Sequence, residues 1–394
     1  MNQHPTRTKF VSLGILLGLC LATTAIAQEN EGKIKPIIFK EKQIASESYE
    51  SVAVFDVNGD QKPDIVSGAF WYEGPDFLNR HFIEEVKRHG EYWDDFATIP
   101  VDVNGDGKMD YVTGGWFNKS LRWLENPGNN KAWIAHLLDE TGNVETARGW
   151  DVDQDGHIEI VPNNPKQPLK FYKLNRDASN KPTGGFTKVP VAETQGHGLG
   201  FGDVNGDGRK DFIVSTGWLE APKDVLKGKW TAHNEFSLGD AGVPILVVDV
   251  NGDAKNDLIV GQGHSYGLDW YEQTTGKSGK RNWIKHPIDP NNSQFHTMEW
   301  VDLDGDGNQE LVTGKRYRAH NGNDPGGKDL IGLYYYQWNG EAFVKQAIAY
   351  GPLGKGKGTG IYFSVADLRG TGRKDIIVAG KDGLYVLFNQ GAGE

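Results

Sequence analysis

Asp102-Val-Asn104-Gly-Asp106-Gly-Lys108-Met-Asp110 is one of seven copies of a short acidic phrase, and the spacing of the copies decides the fold. The others open at Asp56, Asp151, Asp203, Asp249, Asp302 and Asp367, so successive starts lie 46, 49, 52, 46, 53 and 65 residues apart. Self-similarity at such a period marks a propeller or a solenoid. A strand-like run precedes each phrase (51–55, 245–248) and another follows it (212–214), so the phrase joins two strands. An aromatic strand comes next, as in Trp71-Tyr72-Glu73, Trp123-Leu124-Glu125, Trp218-Leu219-Glu220 and Trp270-Tyr271-Glu272, then a fourth (81–87, 133–138, 230–236). Four strands per unit make a propeller blade. The seventh unit stops after 384–388, one strand short, and residues 37–44 form a spare strand ahead of the first unit. Placing that strand in the last blade closes the ring without an open edge. The sequence therefore predicts an all-β, seven-bladed β-propeller with four strands per blade and the N-terminal strand closing the last blade.

Side-chain oxygens stand at positions 1, 3, 5 and 9 of the first six copies. They are Asp56, Asn58, Asp60 and Asp64; Asp102, Asn104, Asp106 and Asp110; Asp151, Asp153, Asp155 and Glu159. The remaining three sets are Asp203, Asn205, Asp207 and Asp211; Asp249, Asn251, Asp253 and Asp257; Asp302, Asp304, Asp306 and Glu310. A hard cation that takes six to eight oxygens at flexible geometry suits such a loop, which favours Ca²⁺ over Mg²⁺ or Zn²⁺. An EF-hand needs Glu at position 12, where this chain has Ser67, Thr113, Pro162, Val214, Val260 and Thr313. An Asn-Gly-Asp alone is also a hairpin turn, but six copies that keep the spaced acids point to the cation. The seventh copy puts Arg369 between Asp367 and Asp375, a guanidinium where a ligand belongs. The expectation is about six structural Ca²⁺ ions.

Composition agrees. Gly is abundant at 52 residues, aromatics make up 11%, and the single cysteine, Cys20, lies in the leader. Arg7 and Lys9, an apolar run over 11–22 and Ala25-Ile26-Ala27 read as a signal peptide, residues 1–27, ahead of one propeller domain over 28–394. The apolar run is short for a bilayer span. Cleavage leaves no cysteine and a periplasmic or secreted protein without membrane insertion. Its 40 basic residues then face 53 acidic ones, a net charge of −13. The 20 carboxylates of the first six phrases account for much of that excess. Such an acidic chain lacks the clustered Lys and Arg that nucleic acid requires.

These repeats resemble the FG-GAP/VCBS repeat propellers along essentially the whole mature chain. The chain is also similar to the propeller part of aldos-2-ulose dehydratases and to calcium-bearing propeller polysaccharide lyases. The resemblance implies the fold and a carbohydrate substrate or ligand. It spans adhesion propellers, lectin-like binders and lyases, so it does not choose an activity.

Strand order places the acidic loops on one face of the disc. The loops between strands two and three, and from strand four to the next blade, emerge on the other face around the channel. That second face gathers Glu50, Tyr92, Trp93, Asp94, Asp95, Trp116, Glu145, Arg148, His197, Trp218, His264, Tyr266, His296, Lys315, Arg316, Tyr317, Arg318 and His320. His197, His264 and His296, from three blades, can hold Zn²⁺ or another divalent ion with an open position, beside Glu145 or Asp94. Singly, each would hydrogen-bond a loop or a sugar. Lys315-Arg316-Tyr317-Arg318 opens the longest insertion, 313–333, a candidate lid or a solvated charged loop. Trp93, Trp116 and Trp218 are candidate sugar platforms, although propeller cores also bury many tryptophans.

The preferred reading is a carbon–oxygen lyase or dehydratase acting on a sugar. Proton abstraction beside a carbonyl needs a cation for the enolate, a base and an acid. The candidates are the histidine-bound ion or Arg148 and Arg316 for charge, a histidine as base, and Tyr92 or Tyr317 as acid, with Lys315 in the same catalytic set. Trp93, Asp94, Trp116, Glu145, Trp218 and His320 are the substrate-binding candidates. A non-catalytic glycan- or protein-binding propeller is the alternative.

Overall fold

The second strand of every unit is a continuous apolar run, such as Ile65-Val66, Leu258-Ile259-Val260 and Ile376-Ile377-Val378. A strand of that kind must be covered on both faces. The computed structural model, which describes Met1 and residues 35–393 apart from 130 and 278, supplies the cover. Seven four-stranded antiparallel sheets form the blades: 53–82, 99–139, 146–192, 199–233, 246–287, 298–351, and 364–392 joined by Ile37–Ala45. Each second strand lies inside its sheet and against the neighbouring blades. Asp110–Gly114, Glu159–Asn163, Asp257–Gly261 and Glu310–Gly314 are buried at every position. Full burial of each Val, Leu or Ile side chain stabilises by about 1.5–3 kcal/mol, so the inter-blade seams are the main hydrophobic reservoir.

Ile37–Ala45 pairs antiparallel with Gly383–Ala392, with Lys40 opposite Phe388 and Lys42 opposite Val386. The chain's own N-terminal strand thus supplies the missing fourth strand of blade 7, as its sequence character predicts. The signal-peptide reading, residues 1–27, falls outside the described residues. Among the described residues no helix is long and apolar enough to cross a membrane. First strands crowd the axis: a Cβ on Gly200 would stand 2.4 Å from the Ile245 carbonyl oxygen, so blade 4 meets blade 5 there only through glycine.

The aromatic third strand serves packing. Pairing sets Trp71 opposite His81, Trp123 opposite His136, Trp218 opposite His233 and Trp270 opposite His286. The rings stack with centroids 4.0, 4.2, 4.1 and 4.5 Å apart. Each imidazole Nε2 then meets the carboxylate two residues beyond the tryptophan: Glu73, Glu125, Glu220 or Glu272. Trp218 is 2% exposed in this arrangement. It is a core residue of blade 4, and its expected place on the site face is corrected: the connection at 215–216 is so short that Trp218 already lies within the third strand, Gly217–Glu220.

Candidate functional site

The acidic loops link first to second strands. Position 1 caps the loop: Asp102 accepts the backbone N–H groups of Gly105 (2.7 Å) and Gly107 (3.0 Å). Position 9 ties the loop to its blade. Asp110 accepts from Val103 N–H at 2.9 Å and from Asn126 N–H, beyond the third strand, at 2.7 Å, and Asp64, Asp211 and Asp257 repeat the pattern. Burial, with the neighbouring loop acids, pushes Asp110 and Asp211 up to about 6 and Glu310 up to about 7. A carboxylate oxygen that accepts one N–H keeps a lone pair for a cation. In loop three the Lys173 ammonium lies 2.7 Å from both Asp153 and Asp155 and 3.0 Å from Glu159, a built-in cation. In loop seven Arg369 pairs with buried Asp375 at 2.8 Å.

On the opposite face, Glu145, His197 and His296 lead into blades 3, 4 and 6, and His264 joins the second and third strands of blade 5. Each offers a ligand atom within 4.8 Å of those of the others. His197 Nδ1 lies 2.7 Å from the Ala241 carbonyl, and His264 Nδ1 lies 2.8 Å from Asp324 Oδ2. A carbonyl and a carboxylate only accept, so both Nδ1 atoms carry hydrogen and both Nε2 atoms present lone pairs when the rings are neutral. Those Nε2 atoms face each other at 2.9 Å. His296 Nε2 is buried without a partner, and Glu145 Oε1 lies 3.5 Å from His197 Nε2 and 3.7 Å from His296 Nδ1. Opposed lone pairs repel unless a proton or a cation sits between them. Zinc–nitrogen bonds of 2.0–2.1 Å in a tetrahedron set ligand nitrogens roughly 3.3 Å apart. Gly263 keeps the space open, since a Cβ there would stand 3.2 Å from His197 and 3.3 Å from His296.

The electrostatics put Glu145, His264 and His296 in ligand form, while His197 is drawn toward its protonated form. Burial lowers His264 to about 4, helped by His197, and lowers His296 well below its usual value, helped by Arg316. Burial opposes ionisation of Glu145, but His197 and Arg316 outweigh it and hold its carboxyl far below the usual range. Burial also works against protonated His197, and Glu145 raises it. Arg316 donates to Glu145 Oε1 at 2.9 Å and to Glu50 Oε1 at 3.1 Å, and Lys381 donates to Glu50 Oε1 at 2.9 Å.

A cavity of about 350 Å³ opens beside this cluster. Tyr92, Phe96, Trp116 and Phe117 form its aromatic side, and Glu145, Arg316, His320, Asn321 and Asn323 its polar side. The insertion reaches it through the short turn Ala319–Gly322, where Arg318, His320 and Asn321 hold φ of 55°, 47° and 57°. Such left-handed strain persists only where surroundings enforce it. A two-stranded ribbon, Arg88–His89 with Tyr92–Trp93, does so: Tyr92 Oη accepts Asn321 N–H at 2.8 Å and Glu91 pairs with Arg318. Asp324 holds two rings at once, His264 through Oδ2 and His320 through Oδ1 at 3.0 Å, and the two imidazoles stack 4.2 Å apart.

Not every expected residue reaches this cavity. Asp94 is buried and accepts Phe117 N–H at 2.9 Å and Asn118 N–H at 2.7 Å, so it shapes the Trp116 loop from behind. Trp93 donates to Ser48 Oγ at 3.0 Å and packs on Tyr49, away from the cavity. Lys315 donates to Ser293 Oγ at 2.7 Å and Gly326 O at 2.6 Å, pinning the base of the insertion. Arg148 donates to Thr297 Oγ1 at 2.6 Å and lies deeper in the channel, and half-buried Tyr317 does not line the cavity. Asp324, Lys381, Phe96, Phe117, Asn321 and Asn323 also reach this site, although sequence pattern does not single them out. For Asp324 the one signal is its four-residue spacing from His320.

The family model for the FG-GAP-like repeat matches residues 102–161, 151–214 and 228–313. No curated protein matches the sequence. Among solved structures, BBS1N in complex with ARL6DN is 11% identical with a TM-score of 0.50, over 91% of this chain and 98% of that one. This likeness concerns the fold alone. More distant are the rhamnogalacturonan lyase YesW (15% identical, TM-score 0.47, 90% of this chain and 74% of that one) and an Agrocybe aegerita lectin described as recognising non-reducing terminal N-acetylglucosamine (16%, 0.45, 90% and 94%). With about half of its residues matched by the repeat model and its ring closed by seven such units, the chain belongs to the FG-GAP-like repeat family.

Proposed function

We propose that the protein is an exported, calcium-stabilised propeller enzyme, a metal-dependent carbon–oxygen lyase or dehydratase that acts on a sugar in the 350 Å³ cavity. The observation that carries this reading is the Nε2-to-Nε2 contact of His197 and His264 at 2.9 Å, with Glu145 and the unpartnered His296 beside it and an aromatic-walled cavity in front. Glu145, His197, His264 and His296 would hold Zn²⁺ or a similar divalent ion. Such an ion supplies Lewis-acid stabilisation of a substrate oxygen when bound.

The chain's own groups supply the rest. Trp116 and Phe117 offer apolar surface to a sugar ring. Arg316, fixed by Glu50 and Glu145, directs guanidinium donors toward an anionic oxygen. His320 gives its Nδ1 hydrogen to Asp324, which leaves Nε2 to take the proton beside the carbonyl. Burial raises Tyr92, which stays protonated and can donate to the departing oxygen. The C–H proton passes to the base, the C–O bond breaks, and the leaving oxygen departs protonated with a double bond left behind. Carbohydrate is the expected partner.

Calcium fits the first, second, fourth, fifth and sixth acidic loops best, where burial, with the neighbouring loop acids, raises the position-9 carboxyl. These ions are structural in this reading, since they sit on the face away from the cavity.

The test is to offer uronic and oxidised sugars to the zinc-loaded protein and follow unsaturated product. Turnover lost in Glu145→Gln and His264→Ala supports the enzyme. The aromatic wall also suits a second reading, a non-catalytic glycan binder, which predicts saturable binding of the same sugars without product. Neither binding nor turnover across these sugars would overturn both.

A further inference from the structure

A second cavity, about 380 Å³, lies on the axis below the histidines. First strands of blades 3 to 6 wall it, with Tyr362 from the approach to blade 7. Trp150 and Val248 immediately precede Asp151 and Asp249, which places the cavity toward the acidic-loop end of the channel.

Two ionisable groups face it with unused capacity. Arg148 is 5% exposed, and its Nη2 serves Thr297 and the Val243 carbonyl. Its Nε is buried with no acceptor, although the guanidinium lies 4.4 Å from the Tyr362 ring centre. Glu299, on blade 6, lines the same space, and among the described residues no hydrogen bond or ion pair reaches its carboxylate. Burial raises its pKa, against the pull of Arg148. A buried polar group without a partner is costly and calls for an explanation.

The chemistry of the missing partner follows from what is spare. One donor and one acceptor of opposite charge sum to zero, so a neutral ligand that both accepts and donates is favoured over an ion. Vicinal hydroxyls do both. Trp150, stacked 5.4 Å from Phe201, and Trp300 add indole surface for the apolar face of a ring. The volume lies within the range of small-molecule sites. We propose that this axial cavity is a second binding site, for a neutral monosaccharide-sized polyol held by Arg148 and Glu299, independent of the histidine cluster.

The test uses the full mature protein, with D-glucose, D-galactose and L-rhamnose as probes and glycine as a zwitterionic control, read by saturation-transfer NMR and calorimetry. At least one sugar binds the wild type, Glu299→Ala weakens it tenfold or more, and Glu145→Gln leaves that affinity unchanged. Glu299→Ala keeps its melting temperature, because among the described residues no hydrogen bond or ion pair holds the carboxylate it removes. Glu299→Gln preserves shape and must also weaken binding. No sugar binding, full affinity in both Glu299 variants, preference for glycine, or unfolding of both variants would each overturn the proposal, the last by making Glu299 merely the counter-ion of Arg148.

Discussion

His264 Nε2 stands 2.9 Å from His197 Nε2, and with both Nδ1 hydrogens committed to Asp324 and Ala241 the contact has room for one proton or one cation. Glu145 raises His197 against the effect of burial, so the metal-free site holds a proton there more readily than a free imidazole does. Zinc binding must displace it. Apparent zinc affinity should therefore fall about tenfold per pH unit on the acid side of that titration and level off above it. Calorimetry in two buffers of different ionisation heat measures the proton released. Binding on the acid side without proton release contradicts the arrangement.

Asp324 touches no proposed substrate atom, yet it fixes the His264 tautomer. Removing a carboxylate behind a ligand imidazole costs about 10–100-fold in metal affinity. Asp324→Ala should show that loss with an unchanged near-ultraviolet circular dichroism spectrum. It should also speed proteolysis within 313–333, because the same carboxylate anchors His320. Wild-type zinc affinity in Asp324→Ala would remove its positioning role.

The acidic loops predict a pH-dependent calcium effect with a definite sign. Asp110 and Asp211, raised to about 6, and Glu310, raised to about 7, hold protons in the calcium-free fold after unfolded carboxylates have lost theirs. Their stability contribution is present at low pH and is lost as pH rises through 6 to 7. Calcium takes the place of those protons, so its stabilisation grows with pH. The gap in melting temperature between calcium-loaded and chelated protein should widen from about pH 5 to about pH 8. A gap that stays constant or narrows is inconsistent with calcium at these acids.

In loops one, two, four and five a Lys or Arg pairs with only the position-5 Asp of the loop, whereas in loops three and seven a cation reaches the buried position-9 acid, so these two should behave differently. Lys173→Met frees Asp153, Asp155 and Glu159, so it should tighten calcium at loop three relative to wild type, visible as an added or strengthened step in a calcium titration. Arg369→Ala leaves buried Asp375 with the backbone N–H of Asn389 and should cost about 1–3 kcal/mol that calcium does not restore. Full rescue by calcium would show that loop seven is a metal site after all.

The periodic part of this protein is legible from sequence because each blade repeats one local rule. A buried second strand, an acidic turn and a Trp-x-Glu strand recur, and the spare strand at 37–44 has only one place to go. The site face is legible down to which loops reach it, since strand order fixes the side of the disc. It does not fix side-chain direction within a loop. Hence His197, His264 and His296 meet, whereas Asp94, Trp93 and Lys315 turn back to brace the loops that carry them. Trp218 is different: the Trp-x-Glu pattern already marked it as a strand residue like Trp71. Asp324 and the 88–93 ribbon sit in aperiodic segments, where only long-range contacts such as Tyr92 to Asn321 give them a role.

The most direct test of the account is metal analysis of the mature protein by inductively coupled plasma mass spectrometry after loading with zinc and calcium and removal of excess. The wild type should hold one tightly bound zinc or similar ion per chain, lost in a His197→Ala/His264→Ala variant that retains its calcium. No stoichiometric transition metal in the wild type, or the same amount in the variant, would contradict it.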